Sequence, residues 1–162
     1  MDILVPAIMA AQRDSGLVIY DHGNEKLSLV EGYSTGSGEA RKEADHLLLT
    51  ATSQTNGVRT YVTDEAIDLT DYATLYIEWL NDGGDERRNR SYCVVSTNKT
   101  ANQDTYNARI YRQSTFDFTD TPDTVDISAL SGNHHVRVHA QGVEGTSAVT
   151  ARVKVYKIWL EK

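Results

Sequence analysis

Apolar and polar residues alternate in short runs along most of this chain. In the run Leu75-Tyr76-Ile77-Glu78-Trp79 every second residue faces the same way along an extended strand, which is typical of a β-strand with one buried face. The pattern predicts that Leu75, Ile77 and Trp79 point into a core and that Tyr76 and Glu78 point outward. Helical periodicity is almost absent, so the chain is predicted to be all-β.

Eleven such runs are rich in Val, Ile, Tyr and Thr and are separated by clusters of Gly, Asn, Asp and Ser. This spacing is typical of an antiparallel sandwich or barrel, and the number of runs favours two stacked sheets. The predicted strands are Leu17–Tyr20, Leu27–Val30, His46–Ala51, Arg59–Thr63, Thr74–Asn81, Tyr92–Thr97, Thr105–Arg112, Thr115–Phe118, Asp123–Asp126, His134–Ala140 and Ala148–Leu160. The last run is apolar on both faces near its end, which indicates a strand covered on both sides or one with a bulge.

Three histidines lie close together in the predicted strand His134–Ala140, whose apolar residues Val136, Val138 and Ala140 are predicted to be buried. The other face of this strand then carries His135, Arg137 and His139. The strand rise places His135 and His139 about 13 Å apart. That separation is too large for one Zn²⁺ with ligands at about 2 Å.

Two interpretations of this histidine-bearing face stay open. One is a polar sheet face without further function. The other is a ligand groove, because Arg can bind hydroxyls or an anionic group in a bidentate way and Tyr offers an apolar ring with a polar tip. The predicted groove residues are Tyr76, Glu78, Arg109, Tyr111, His135, Arg137 and His139.

Two similar stretches, Ile67–Tyr72 and Val125–Leu130, each place an Asp where a strand is predicted to end. Asp, Thr and Ser side chains in such positions form hydrogen bonds with the turning backbone. Both stretches are therefore predicted to be turns at the sandwich edge, with Tyr72 and Leu130 filling the core.

The length and the net charge of the chain limit the number of domains and the kinds of ligand that are expected. The 162 residues carry 16 Lys and Arg against 23 Asp and Glu, a formal net charge of -7. One buried core fits this length better than two. Nucleic-acid binding is not expected, because it needs a concentrated positive field.

The first sixteen residues differ from the rest, since the run Ile3–Ala11 is apolar without strand alternation. Residues 1–16 are predicted to be a connector, either irregular or with one short helix after Pro6. Asp2 and Pro6 argue against a secretory signal peptide, and no run approaches the ~20 apolar residues of a membrane span. Cys93 lies in an apolar run and is predicted to be a buried, unreactive thiol.

Motifs of catalysis are missing from the sequence. There is no Gly-x-Ser-x-Gly, no His-Glu-x-x-His and no phosphate-binding loop. Gly32–Gly38 is Gly-rich but lacks the Lys of a nucleotide site, and it is predicted to be a loop. Acidic clusters such as Asp82–Glu86 lie in turn-like stretches, which favours solvated loops over a pair of catalytic carboxylates. The sequence therefore predicts a protein that is not an enzyme.

Three stretches together resemble a known family: Leu17–Glu25, Ala66–Trp79, and Val125–Asn133 followed by Val136–Ala140. They are similar to the C-terminal module of tail and tail-fibre proteins from phages and prophages of Gram-positive bacteria. Similar Ile-Asp-Leu and Val-Asp-Ile-Ser patterns occur in jelly-roll carbohydrate-binding modules with a galactose-binding-like fold. The closing segment Val153–Glu161 also resembles the end of those chains.

The resemblance implies a jelly-roll sandwich over residues 17–162 that binds the host surface, in the virion tail and outside the cell. Its expected partner is a cell-wall glycan or a teichoic-acid-like polymer. One alternative is a structural tip domain that trimerises through the sandwich and the connector Ile3–Ala11. Another is a carbohydrate-binding module of a larger enzyme.

Two further expectations follow from this resemblance. Jelly-roll modules often carry a structural calcium ion, for which Asp21, Asn24 and Glu25 are candidates; no other cofactor is expected. The net negative charge favours a neutral glycan. The net charge would not favour a neutral glycan if five arginines gathered on one side of the domain: Arg87, Arg88, Arg90, Arg109 and Arg137.

Overall fold

A computed structural model of the protein describes residues 16–52, 55–83, 89–117, 121–143 and 150–162. Within these ranges the chain forms thirteen β-strands in two antiparallel sheets and no α-helix. No helix among the described residues is long and apolar enough to cross a membrane. Nearly all of the predicted connector, residues 1–15, lies outside the described residues.

The strands follow the predicted runs, with three additions. Their bounds are β1 Leu17–Asp21, β2 Asn24–Glu25, β3 Leu29–Glu31, β4 Gly38–Lys42, β5 Leu47–Thr52, β6 Val58–Thr63, β7 Ile67–Asp68, β8 Thr74–Asn81, β9 Asn89–Ser96, β10 Ala108–Gln113, β11 Asp123–Asp126, β12 Asn133–Gly142 and β13 Thr150–Glu161. The predictions missed β2, β4 and β7. Strand β4 is polar and starts at the end of the Gly-rich segment, so it carries no alternation of apolar residues.

One predicted strand is not formed as such. In the described part of Thr115–Phe118, Phe116 makes only an isolated bridge with Asn81. The amide of each residue donates to the carbonyl of the other, at 2.9 and 3.0 Å. The segment is therefore a single point of attachment at the end of β8, where the backbone donor and acceptor of Asn81 and those of Phe116 are satisfied.

The seven-stranded sheet is built around β13, its longest strand with 12 residues. One edge of β13 pairs with β8. The other edge is shared, since β5 pairs with its first half and β1 with its second half. The register shifts between Val155 and Lys157, which confirms the bulge that was one of the two predicted alternatives for this strand. Strands β2, β4 and β11 complete the sheet.

The six-stranded sheet has the order β10-β9-β12-β6-β3, and the short β7 pairs with the start of β12. Strand β12 is central, with β9 on one side and β6 on the other. The register across these strands decides which side chains meet. Arg137 lies opposite Val94 of β9 and Val62 of β6, and His139 lies opposite Tyr92 and Thr60.

The core between the sheets contains the residues that alternation predicted. Leu75, Ile77 and Trp79 are buried on β8, and the inward set of β12 is buried with them: Val136, Val138 and Ala140. Cys93 is fully buried in the same core, and burial strongly raises the pKa of its thiol. Full burial of one such aliphatic side chain contributes about 1.5–3 kcal/mol to the free energy of unfolding.

Both predicted turns at the sandwich edge are present. Asp68 accepts hydrogen bonds from the Thr70 amide at 3.1 Å and the Thr70 hydroxyl at 2.6 Å. Asp126 accepts from the Ser128 amide at 2.8 Å. Tyr72 is buried as predicted, while Leu130 is only partly buried against the core. The fully buried residues of these turns are Leu69 and Ile127.

Candidate functional site

The seven residues predicted to form one groove are divided between the two sheets. Tyr76 and Glu78 lie on β8 in the seven-stranded sheet. The other five lie on β10 and β12 of the six-stranded sheet: Arg109, Tyr111, His135, Arg137 and His139. The prediction of a single groove is wrong on this point, because β8 is not a neighbour of β10 or β12 within either sheet.

The five residues on the six-stranded sheet share the face that points away from the core. The core contains the alternate residues of the same strands, such as Cys93, Ile110 and Val138. We call the opposite surface, which carries Tyr92 and Val94 of β9 together with those five residues, the outer face. This face is only partly open to solvent.

Arg137 is fully buried beneath the segment that joins β9 to β10. Its guanidinium donates hydrogen bonds to the carbonyls of Ala101, Asn102 and Thr105, the second at 3.0 Å. Burial lowers the pKa of Arg137 to about 10, so the group stays charged at neutral pH. Arg137 therefore holds the covering segment in place, and a ligand on the surface does not touch it directly.

His139 is also fully buried. Its Nδ1 lies 2.7 Å from the Thr60 hydroxyl, and its ring meets the Tyr92 ring edge-on at 6.4 Å. Burial, with a smaller contribution from the Arg137 charge, lowers the pKa of His139 to about 3. His139 is thus a neutral packing residue below the outer face. His135, which is half-buried, has its Nδ1 2.9 Å from the Thr63 carbonyl oxygen.

At the open part of the outer face, two exposed tyrosines and one buried tyrosine surround one arginine. The guanidinium carbon of Arg109 lies 4.3 Å from the ring centroid of Tyr106, 5.5 Å from that of Tyr111 and 5.8 Å from that of Tyr92. The Tyr92 and Tyr111 rings are tilted against each other at 5.0 Å. We call these four residues the tyrosine–arginine cluster. Its members Tyr106 and Tyr111 are the large apolar side chains exposed on the described surface, at 45% and 40%.

Hydrogen bonds fix the polar ends of the cluster. The Tyr92 hydroxyl donates to Gln141 Oε1 at 2.9 Å, and the Tyr111 hydroxyl donates to Gln113 Oε1 at 3.1 Å. Burial raises the pKa of Tyr92, although the neighbouring Arg90 guanidinium opposes this shift. The phenol is therefore protonated at neutral pH. The cluster offers flat apolar rings beside fixed amide and guanidinium groups, a combination that suits a ligand with both apolar faces and hydroxyls.

Of this cluster, the sequence patterns predicted only Arg109 and Tyr111 as site residues. Tyr92 belongs to an apolar run of the predicted strand Tyr92–Thr97, and its place next to the buried Cys93 puts its side chain on the outer face. Tyr106 lies in the irregular segment before β10, where no periodicity applies. No local signal could have joined Tyr106 to Arg109, because the fold of that segment brings them together.

A separate aromatic group lies on the outside of the seven-stranded sheet. Tyr76 stacks on Trp159 of β13, with ring centroids 4.9 Å apart and planes 8° from parallel, and the Lys157 ammonium lies 4.9 Å from the Trp159 centroid. The Trp159 ring is therefore already in contact with an aromatic ring and a cation of its own sheet. Glu78 belongs to a pocket of about 320 Å³ on this sheet. The pocket is lined by His22, Asp45, Glu78, Leu80 and Tyr156.

The predicted calcium ligands have other partners. Glu25 Oε1 lies 2.7 Å from Lys42 Nζ, and its other oxygen accepts from the Leu29 amide at 2.9 Å. Asp21 lies 2.6 Å from His22 Nδ1, which lowers the pKa of the Asp21 carboxyl. Among the described residues, no three His, Cys, Asp or Glu side chains are grouped to hold a metal ion. Calcium at Asp21, Asn24 and Glu25 stays a prediction.

Solved structures with a similar fold include proteins that recognise or degrade carbohydrates. The carbohydrate recognition domain of Emp47p matches with a TM-score of 0.61 and 10% identity over 90% of this chain and 94% of that one. The agarase AgWH50C matches with a TM-score of 0.50 and 9% identity, over 91% of this chain and 24% of the agarase. A family 11 carbohydrate-binding module from Clostridium thermocellum has a TM-score of 0.49 and 10% identity, covering 90% and 95%.

The matches to the Emp47p domain and the agarase define a fold class and no closer relationship. A scan against protein-family models and a search of curated proteins both found no match. The predicted fold is confirmed, since the chain is a two-sheet antiparallel β-sandwich of the type found in carbohydrate recognition domains. At about 10% identity this similarity establishes the fold alone.

Proposed function

We propose that the chain is a non-catalytic glycan-binding domain whose binding site is the tyrosine–arginine cluster. The observation that carries this proposal is the exposure of Tyr106 and Tyr111, at 45% and 40%, with both rings next to Arg109 on a sheet face that is only partly open to solvent. A sugar ring has C–H groups that pack on an aromatic ring and hydroxyls that bind amides and guanidinium groups.

The cluster is held in place before any ligand binds. Tyr92 is buried beneath Arg109 and Tyr111, and its hydroxyl is tied to Gln141. Arg137 anchors the segment that carries Tyr106 by binding the carbonyl of Thr105, the preceding residue. Side chains that are already ordered lose less conformational entropy on binding, which favours affinity.

For the biological setting, we propose the distal domain of a phage tail or tail-fibre protein that binds a cell-wall glycan of its host. The support is the resemblance of Leu17–Glu25, Ala66–Trp79 and Val125–Asn133 to such modules. A second candidate is a carbohydrate-binding module within a larger enzyme. The similarity of this chain to 24% of an agarase favours that candidate. Trimerisation through residues 3–11 stays a prediction, since those residues lie outside the described ranges.

A glycan-binding screen followed by calorimetry on two variants tests the site. Tyr111→Ala removes an exposed ring of the cluster, and we expect the affinity for the glycan found in the screen to fall by about tenfold or more. Tyr156→Ala, on the outside of the seven-stranded sheet, is the matched control and should bind like the wild type. Equal losses in both variants, or none in Tyr111→Ala, would place the site elsewhere.

The phage setting has its own test. Fluorescently labelled protein should bind intact Gram-positive host cells and their purified cell walls, and Tyr111→Ala should bind both less well. Binding to a plant or algal polysaccharide, without binding to bacterial walls, would favour the enzyme-module candidate instead.

A further inference from the structure

Positive charge collects on the outer face of the six-stranded sheet, although the whole chain has a net charge of -7. Arg90, Arg109 and Arg137 lie on three neighbouring strands, and their alternation places all three on this face. Arg109 and Arg137 are both in register with Val94 of the strand between them. Two strand spacings separate their backbones, or about 10 Å.

No carboxylate close by cancels the charge of Arg137 within the described residues. The two terminal nitrogens of its guanidinium donate to backbone carbonyls, which leave the positive charge in place, and its Nε is buried without a hydrogen-bond partner. A charge in a buried, weakly polarisable environment is screened less than one at the surface. Arg137 therefore contributes a fixed positive field beneath the face.

Among the described residues, acidic side chains also offset the positive charges of Arg109 and Arg90 only weakly. The aromatic rings around Arg109 are uncharged, and its ion-pair partner Asp104 lies 3.9 Å away and is itself largely exposed. Such a surface pair is weak because water and salt screen it. Arg90 is a neighbour of the buried Tyr92 hydroxyl, and its Nε is buried without a hydrogen-bond partner.

We infer that this face takes an acidic saccharide, one that carries a carboxylate or phosphate group beside its apolar ring faces, with Arg109 as the direct contact. This inference rests on the proposed function and narrows its ligand class. The negative charge elsewhere on the chain does not prevent it, because charges further away than about 8–10 Å are largely screened at physiological salt. A guanidinium is also the side chain best suited to bind carboxylate or phosphate with two parallel hydrogen bonds.

The first experiment compares ligands that differ only in charge. Oligogalacturonate and its methyl ester have the same sugar backbone, and a glycerol-phosphate-substituted oligosaccharide with its unsubstituted parent forms a second pair. We expect the acidic member of at least one pair to bind at least tenfold more tightly at low salt, with the advantage shrinking as salt is added. The pair that shows the preference identifies carboxylate or phosphate as the source of the charge.

The second experiment removes one positive charge at two positions. Arg109→Gln should abolish the preference for the acidic ligand. Arg41→Gln is the matched control, because Arg41 lies on β4 of the other sheet and its side chain is 54% exposed; it should keep the preference. The ligand comparison on the wild-type protein does not depend on how well either variant folds.

The outcomes separate the two proposals. If neutral ligands bound as tightly as acidic ones, the inference of an acidic ligand would be wrong. If Tyr111→Ala still weakened the binding of both, the proposed glycan site would stay supported. A preference for acid that Arg41→Gln removes as fully as Arg109→Gln would also overturn the inference of an acidic ligand, because the effect would then be one of net charge. Failure of every glycan to bind would overturn the proposed function itself.

Discussion

Acidification tests the burial of His139. In the folded protein its pKa is lowered from 6.5 to about 3, first by burial and second by the charge of Arg137. In the unfolded chain the imidazole regains its ordinary pKa and takes up a proton near neutral pH. The unfolded state therefore binds more protons than the folded state between about pH 6.5 and pH 3, and stability is lost as the pH falls through this window.

The size of the effect follows from the two pKa values. Below about pH 6.5 the free energy of unfolding should fall by about 1.4 kcal/mol per pH unit. Between pH 7 and pH 5 we expect a loss of about 2 kcal/mol, which is a sizeable part of the 5–15 kcal/mol typical of a folded domain. The carboxyls of Asp21, Glu25 and Asp82 have pKa values below their usual ones. Their contribution to stability is lost at lower pH, outside this interval.

Urea unfolding at several pH values between 7 and 5 measures this loss. His139→Gln keeps an uncharged polar group near the Thr60 hydroxyl but cannot take up a proton, so its free energy of unfolding should change much less over the interval. His22→Gln, which alters an exposed histidine, is the control for losing one histidine. If wild type and His139→Gln lost stability in parallel, with unchanged denaturant dependence, the buried neutral state of His139 would be refuted.

Two further predictions concern local features of the sandwich. Cys93 should fail to react with a thiol reagent in the native protein and should react on unfolding, because it is fully buried and burial raises its pKa; fast labelling without denaturant would contradict this. Gly23→Ala should destabilise the protein by at least about 1 kcal/mol more than Gly132→Ala in the same urea assay. Both glycines have a positive φ, but a Cβ at Gly23 would overlap the Ala44 carbonyl and one at Gly132 meets nothing. Equal losses would show that this overlap is relieved at no cost.

Alternation by itself determined which residues of each strand face the core. Leu75, Ile77 and Trp79 are buried as their spacing predicts, and so are the apolar residues of β12. The physical reason is local, since successive side chains of a strand point to opposite sides whatever the strand pairs with. The turns at Asp68 and Asp126 were predictable for the same reason, because each Asp binds backbone only two residues away.

Strand order was decided by the tertiary structure, and it changed the candidate site. Tyr76 and Glu78 have the outward orientation that their pattern predicts, yet they lie on the other sheet from Arg109 and Tyr111. Alternation gives the side of a strand but says nothing about its neighbours. Register between distant strands depends on packing across the whole core, so no short stretch of sequence encodes it.

The burial of Arg137 is the clearest case of what the sequence left undetermined. The alternation along its strand places Arg137 at a polar position that is expected to face water. In the fold it is covered, because carbonyls that lie 32 to 36 residues earlier in the chain come to its guanidinium. Hydrogen bonds lower the cost of burying a charge, and here backbone carbonyls accept from the two terminal nitrogens of the guanidinium, while its Nε has no partner. Backbone carbonyls are present at every residue, so only the path of the chain could show which of them would meet Arg137.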